Sequence, residues 1–454
     1  MTARLSHFAV LVFAWSAVGV GAATPPPRPN VLVILTDDQG WGDTQAQGAP
    51  DLRTPHLDEL FRAGLVFENF YANSPVCSPT RAALLSGRFP DRVGVPGVVR
   101  DETPADSWGR LAPDVTLLPA VLRETGYTTA LVGKWHLGTD EPQLPNVRGF
   151  DRFHGFLGDM MDDYWTHLRR GINYLRSDGT VIEAEGHATA VFTRWACDYL
   201  EQQAGGEKPF FLLLAYTAPH TPIQPPPAAL AHVLAREPGI DPARAKLVAL
   251  IEDMDAGIGQ VLATLERTGQ AANTLVLFTS DNGGDVRWAN NGAWRGGKGS
   301  VYEGGLRVPT AARWPGVVPP GSRTDRLAMT MDIYATLAEL AGAPLAAEVD
   351  GRSFLPELRG EVRPAEIRDL YFVRREGRRN YGGKTIEALR RGDWKILQNT
   401  PYTPLELYNL ADDPGETRDL AGAYLPIFGE MADALRAHVR RGGSVPWDAP
   451  RARP

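Results

Sequence analysis

Two acidic pairs, a few cationic side chains and one cysteine carry the reactive chemistry of this sequence. Asp37 and Asp38 close the run "NVLVILTDD", and Asp281 and Asn282 close the run "NTLVLFTSDN". Oxygen side chains gathered at two strand ends make a hard-cation site suited to calcium or magnesium. Either pair alone also fits an ordinary turn. Lys134 and His136 follow "ALVG", His220 follows "LLLAYTAP", and Lys298 lies in the glycine-rich "WRGGKGS". A lone histidine or lysine is usually a bystander; several at strand ends, joined by Arg81, make a pocket for a tetrahedral anion. Cys77 begins "CSPTRAALLSG", in which Ser78 fits a helix cap, Pro79 the first helical position and Gly87 the stop. Backbone N–H groups at that helix start favour an anion, and a thiol there is expected to have a lowered pKa. Together these residues describe a nucleophile facing an anion beside a divalent cation, which is transfer chemistry at phosphorus or sulfur. The competing reading makes Cys77 a small buried side chain or half of a disulfide.

The elements that must position these groups alternate between strand and helix. Val31 to Leu35 reads as a strand buried on both faces. "TPHLDELFRAG" reads as a helix with Thr54 as N-cap and Gly64 as stop, and "LVFENFYA" as another strand. "TLLPAVLRETG" predicts a helix, "YTTALVG" a strand, and "PFFLLLAYTAPH" a buried strand ending at His220. The long run from Leu247 to Leu265 places Leu247, Ile251, Met254, Ile258, Val261 and Leu265 on one helical face. "NTLVLFTSDNGG" and "RVPTAARWPG" predict further strands. This alternation implies a mostly parallel sheet covered on both sides, with ligands at the carboxyl ends of its strands. From about Arg368 the texture changes to short strands with tight turns, followed by a helix from Leu425 to Arg441. The expected organisation is a catalytic α/β domain over 29–367 and a smaller antiparallel α+β subdomain over 368–454.

The 454 residues carry a net charge of -7, which gives no reason to expect nucleic acid as a partner. Residues 1–23 read as a secretory signal: a weakly basic start at Arg4 and His7, an apolar Phe8 to Val20, and small residues at Gly21-Ala22-Ala23. After cleavage no stable membrane anchor is expected, and the protein is placed in the periplasm or outside the cell. No Asn-x-Ser/Thr sequon is present. The two cysteines, Cys77 and Cys197, allow at most one disulfide; Cys197 in "TRWACDYL" reads as a core residue on a helix.

"CSPTR", Cys77 to Arg81, matches the Cys-x-Pro-x-Arg signature of type I sulfatases. "NVLVILTDDQGWGD", "GYTTALVGKWHLG", "APHTP", "TSDNGG", "RGGKGSVYEGGLRVP" and "ELYNLADDPGE" also resemble that family, in the same order, over roughly residues 29–440. Its arylsulfatase-like and N-acetylgalactosamine-6-sulfatase-like members are the most similar. The resemblance implies a large mixed, mostly parallel sheet sandwiched by helices, as in the alkaline-phosphatase-like sulfatase fold, with a smaller C-terminal antiparallel sheet and helix. It implies that a maturation enzyme oxidises Cys77 to Cα-formylglycine, whose hydrate attacks sulfur and whose second hydroxyl later expels sulfate. Asp37, Asp38, Asp281 and Asn282 would hold calcium (magnesium less favoured) together with residue 77. Arg81 would anchor the hydrated aldehyde, and Lys134 and Lys298 would bind sulfate oxygens. His136 would be the base toward the second hydroxyl. His220 would contact the substrate and protonate the leaving alcohol.

Substrate contacts are expected from loops. Gly158 to Gly171, with Asp162, Asp163, Tyr164, Trp165, His167 and Arg169, is the candidate, because acidic and aromatic groups together suit a sugar ring; a plain surface loop with a staple aromatic is the competing reading. The expected reaction is hydrolysis of a sulfate monoester on a carbohydrate, and of aryl sulfates. The rivals are a phosphatase or phosphonate monoester hydrolase on the same superfold, and a non-catalytic binder of sulfated glycans.

Overall fold

The computed structural model describes residues 28–100, 109–361, 364, 367–376 and 384–442. The expected signal segment 1–23 lies outside the described residues. Among the described residues no helix is long and apolar enough to cross a membrane.

Ten strands form the main sheet. Their order across it is Ser322–Thr324, Leu65–Phe67, Ala311–Arg313, Thr274–Ser280, Asn30–Thr36, Phe210–Ala215, Thr128–Lys134, Arg152–Phe156, Leu175–Ser177 and Thr180–Val181. The central strands from Thr274–Ser280 to Arg152–Phe156 pair in parallel, and antiparallel pairings appear toward both edges. Alternation along Asn30–Thr36 divides its side chains between two cores. Val31, Val33 and Leu35 join Phe211, Leu213, Leu275 and Leu277 on one face. Leu32 and Ile34 join Leu212, Leu214, Val276 and Phe278 on the other. Every one of these is essentially inaccessible to water, and each contributes about 1.5–3 kcal/mol by its burial. Helices Ala188–Gln203 and Pro242–Arg267 cover one face; helices Cys77–Ser86, Leu118–Glu124 and Asp332–Ala341 cover the other.

A separate four-stranded antiparallel sheet, Asp369–Glu376, Lys384–Arg391, Trp394–Gln398 and Glu406–Asn409, packs with helix Leu425–Arg441. The fold is thus the large mixed, mostly parallel sheet with a small C-terminal antiparallel sheet that the sequence implied. Cys77 and Cys197 are both free, so the disulfide reading is excluded. Cys197 sits half-buried on helix Ala188–Gln203, against the core that this helix covers.

Three local expectations are corrected. "LVFENFYA" is not one strand: Leu65–Phe67 stays in the main sheet, and after a turn Phe70–Tyr71 pairs with Ala328–Met329 instead. Phe67 and Phe70 meet edge to face across that turn, with ring centroids 5.4 Å apart. The strand expected to end at His220 stops at Ala215, and His220 stands in the turn beyond it, its N–H on the Thr217 carbonyl at 2.9 Å. Thr54 occupies the N-cap position of helix Pro55–Ala63 but makes no side-chain cap; its hydroxyl donates to Asp58 Oδ1 at 3.0 Å. The cap comes from another helix. Asp255 accepts the His56 N–H at 3.2 Å and the Leu57 N–H at 2.8 Å.

Asp255→Ala should therefore cost about 1–2 kcal/mol of stability, the usual effect of losing a helix cap. Chemical denaturation checks the loss, and turnover per folded molecule should not change.

Candidate active site

The register of the parallel strands brings the chemical groups together. Leu35 pairs with Ala215, Thr36 with Ser280, and Ala215 with Gly133. Asp37, Asp281, Lys134 and the turn carrying His220 therefore leave the same edge of the sheet side by side. The Asp281 N–H donates to the Thr36 carbonyl at 3.0 Å, and the Asp37 N–H to the Ala218 carbonyl at 3.1 Å. Asp38 and His136 have φ of 67° and 60°. Left-handed backbone in a non-glycine residue costs about 1–3 kcal/mol and persists only where its surroundings over-determine it. At Asp38 the surroundings are an N–H bond to Asp281 Oδ1 (3.2 Å) and side-chain bonds from Asn282 Nδ2 (2.8 Å) and Lys298 Nζ (2.6 Å).

Helix Cys77–Ser86 begins at Cys77 itself, two residues earlier than Ser78 as a cap would place it. The Ser78 hydroxyl accepts the Val99 N–H at 3.0 Å and takes no part in capping. Cys77 thus stands on the first turn, facing the two strand ends. The expected low thiol pKa is also corrected. Burial pushes the Cys77 thiol well above its usual value, and Asp37 and Asp281 add to this against Lys298 and Lys134. The helix terminus does not overcome desolvation here.

Acid and base alternate around it. Lys134 Nζ donates to Asp37 Oδ2 at 2.6 Å, with both side chains fully buried. Arg81 bonds Asp281 Oδ2 through Nε at 3.0 Å and a terminal nitrogen at 2.7 Å, and that terminal nitrogen lies 3.6 Å from Asp37 Oδ2. Burial by itself would raise the Asp37 carboxyl; Lys134, then His220, Arg81 and Lys298, outweigh it and hold Asp37 well below the usual range. Burial, then the Asp37 charge, raises Asp281 despite Arg81. His136 is kept neutral by burial and by Lys134 and Arg81. Its Nε2 meets the Val99 carbonyl at 2.9 Å, and Nδ1 is buried with no partner. Burial and Lys298 also lower His220. Its Nδ1 lies 2.6 Å from the Thr221 carbonyl and its Nε2 3.6 Å from Asp38 Oδ2.

The donor set suits a hard cation. Asp37 Oδ1 and Asn282 Oδ1 are buried oxygens without a hydrogen-bond partner, and a buried unpaired oxygen carries a desolvation cost that a ligand would remove. Ligand atoms of Asp37, Asp38, Cys77 and His220 lie within 4.8 Å of one another. Asp281 borders this group, with one carboxylate oxygen committed to Arg81 and the other to the Asp38 N–H. All the sequence-predicted catalytic and metal residues therefore fall in one cluster.

The Gly158–Gly171 loop is part buried and part exposed. Tyr164 is buried, and its hydroxyl donates to the carbonyls of Thr217 at 2.7 Å and His220 at 2.9 Å. Asp163 accepts the N–H groups of Trp165 and Thr166, and Arg169 ties Asp159 to Asp162. His167 meets the Gly186 carbonyl at 2.9 Å. Trp165 faces solvent, 45% exposed. Tyr164 thus holds the His220 turn, a role its position in sequence does not reveal. The Val99 carbonyl that orients His136 was likewise invisible, because nothing in the local sequence marks it.

The sulfatase family domain matches residues 29–343. This chain belongs to the sulfatase family. A second match, to the C-terminal region of N-sulphoglucosamine sulphohydrolase, spans residues 294–440. The sulfatase is 33% identical to N-acetylgalactosamine-6-sulfatase of Canis lupus familiaris, over 95% of this chain and 89% of the relative. It is 32% identical to human arylsulfatase A, over 92% of this chain and 88% of the relative. Among solved structures it is similar to Ps i-CgsB in complex with k-i-k-neocarrahexaose, with TM-score 0.84 and 30% identity over 93% of this chain and 95% of that one. It is a sulfuric ester hydrolase.

Lys134→Met would leave buried Asp37 with Arg81 at 3.6 Å as its remaining close cation. Stability in the presence of a chelator should fall by about 3 kcal/mol, because an uncompensated buried charge is costly. Urea denaturation checks this.

Proposed function

We propose that this sulfatase removes sulfate from a carbohydrate sulfate ester, using Cα-formylglycine made from Cys77 and a divalent cation, calcium in preference to magnesium. The observation that carries the reading is the placement of Cys77. Cys77 is buried at a helix start with ligand atoms of Asp37, Asp38 and His220 within 4.8 Å, so a formylglycine made from it would lie against the cation-binding oxygens and the surrounding lysines. Glycan substrates are supported by the N-acetylgalactosamine-6-sulfatase relatives and by the neocarrahexaose complex of Ps i-CgsB.

Asp37, Asp38, Asp281, Asn282 and the modified residue 77 would hold the cation. It would supply positive charge beside the nucleophile, and the formylglycine hydrate would supply two hydroxyls, one for attack and one for release. Arg81 reaches residue 77's surroundings from the same helix and carries the fixed charge that orients them. Lys134, on Asp37, and Lys298, on Asp38, would neutralise sulfate oxygens as charge develops on them. His136, fixed through Nε2, offers Nδ1 as a proton acceptor. His220, fixed through Nδ1, offers Nε2 toward the leaving oxygen.

Protein made beside a maturation enzyme should carry formylglycine at residue 77. Mass spectrometry of the peptide spanning Cys77 tests this, and an unmodified thiol in fully active material would refute it. Asn282→Ala and Asp281→Ala should each lower the bound calcium stoichiometry and cut turnover of an aryl sulfate at least about 100-fold. Metal analysis at wild-type levels in both variants would remove these residues from the ligand set.

A further inference from the structure

Lys298 stands on a stretch with no regular secondary structure. Between Lys298 and Tyr302 the chain has neither helix nor strand, and Gly299 has φ of +87°. One local turn is closed by the Ser300 N–H and the Ser300 hydroxyl, both donating to the Gly297 carbonyl at 3.0 and 2.9 Å; the other bonds that fix its course come from outside. Two of them come from the main sheet's loops: the Lys298 N–H donates to the Gly284 carbonyl at 3.0 Å, and the Gly299 N–H to the Pro75 carbonyl at 2.8 Å. Others come from the C-terminal sheet. Arg374 donates to the Gly299 carbonyl at 3.1 Å. Asn399 Oδ1 accepts the Val301 N–H at 2.8 Å. Lys395 bonds Glu303 Oε1 at 2.8 Å, and Glu416 Oε2 accepts the Glu303 N–H at 2.7 Å.

Arg374 is itself held. It is 8% exposed, and its Nε donates to Glu376 Oε1 at 2.8 Å, while Arg100 donates to Glu376 Oε2 at 2.9 Å. A Cβ at residue 299 would come within 2.8 Å of the guanidinium, so glycine lets this group lie directly against the peptide that follows Lys298.

We propose that Arg374 and Asn399 are positioning residues for Lys298, making the C-terminal sheet a working part of the anion pocket. Neither reaches the cluster of strand-end residues. They act on the backbone to either side of Ser300 and so fix where the Lys298 stem begins. The Lys298 side chain is 23% exposed and its ammonium rests on Asp38 Oδ2 at 2.6 Å. To meet a sulfate oxygen it must swing from that carboxylate, and the arc it can sweep is set by the position of its Cα. The inference rests on the reading of Lys298 as a sulfate-binding group.

The test is a double-mutant cycle in full-length protein with 4-nitrophenyl sulfate as probe. Arg374→Met keeps the apolar stem and leaves Glu376 paired with Arg100. Asn399→Ala removes the acceptor for Val301. Each should lower kcat/KM roughly 10- to 100-fold, the scale of an ångström-sized misplacement, with formylglycine occupancy and calcium content at wild-type levels. Arg374→Lys, which can still donate to the Gly299 carbonyl, should recover part of the loss. In a Lys298→Ala background neither substitution should have a further effect, because the group they position is gone. Losses that simply multiply with that of Lys298→Ala would overturn the proposal, as would losses matched by lower calcium or formylglycine. If either variant fails to fold, the Arg374→Lys cycle decides the matter by the same criterion. A Lys298→Ala enzyme with undiminished turnover would instead refute the role of Lys298 itself.

Discussion

The active site depends on keeping the Asp37 carboxylate ionised without contact with water. An isolated carboxylate in such surroundings would protonate or would not be buried at all. Lys134 at 2.6 Å and Arg81 at 3.6 Å make the charge tolerable. Those cations are buried as well, so each depends in turn on the acids. Arg81 is committed to Asp281, and its other terminal nitrogen reaches the Lys134 carbonyl at 3.2 Å. Removing any member strands a charge in the interior, which is the costliest defect of this kind.

That constraint accounts for much of the surrounding architecture. The charges meet because the strands bearing Asp37, Lys134 and Asp281 and the strand before His220 are parallel and in register, so their carboxyl ends come out together. Asp38 and His136 adopt left-handed backbone at the points where the chain must turn sharply to keep its side chain in the cluster. The apolar layers on both faces of the sheet make that strain bearable, since the strands cannot shift register without moving every core side chain. The same electrostatics leave Asp37 Oδ1 and Asn282 Oδ1 without partners. In an interior this well packed, such oxygens mark where a ligand belongs.

A second buried ionic group ties the two sheets together. Glu303 accepts from Tyr71, Arg307 and Lys395, and Glu416 shares Lys395. Lys395 and Glu416 belong to the C-terminal region, while Tyr71 and Arg307 belong to the body of the main domain. Lys395, Arg307 and Arg390 hold the Glu303 carboxyl well below its usual range against the effect of burial. The network lies at the foot of the glycine-rich stretch that carries Lys298. The C-terminal sheet is therefore not an appendage in the physical sense, because charges that cannot be exposed cross the boundary.

The sequence alone determined the residue types and the periodicity. Runs such as Val31 to Leu35 and Phe210 to Ala215 are unbroken apolar stretches that only a doubly covered parallel sheet can bury. The polar groups directly after them had to lie at strand ends. With the helix start at Cys77 and Arg81, the glycine-rich stretch at Lys298 and the family resemblance, this brought Asp37, Asp38, Cys77, Arg81, Lys134, His136, His220, Asp281, Asn282 and Lys298 together as one candidate site. Tertiary structure decided everything that depends on distant neighbours. It set the thiol of Cys77 high, because desolvation outweighs the helix terminus. It gave the cap of helix Pro55–Ala63 to Asp255 and not to Thr54, and it turned Tyr164 inward to hold His220. It also placed Arg374 and Asn399 on the backbone around Lys298. None of these is written in a local pattern, since burial and long-range hydrogen bonds arise only when segments far apart in the chain are packed together.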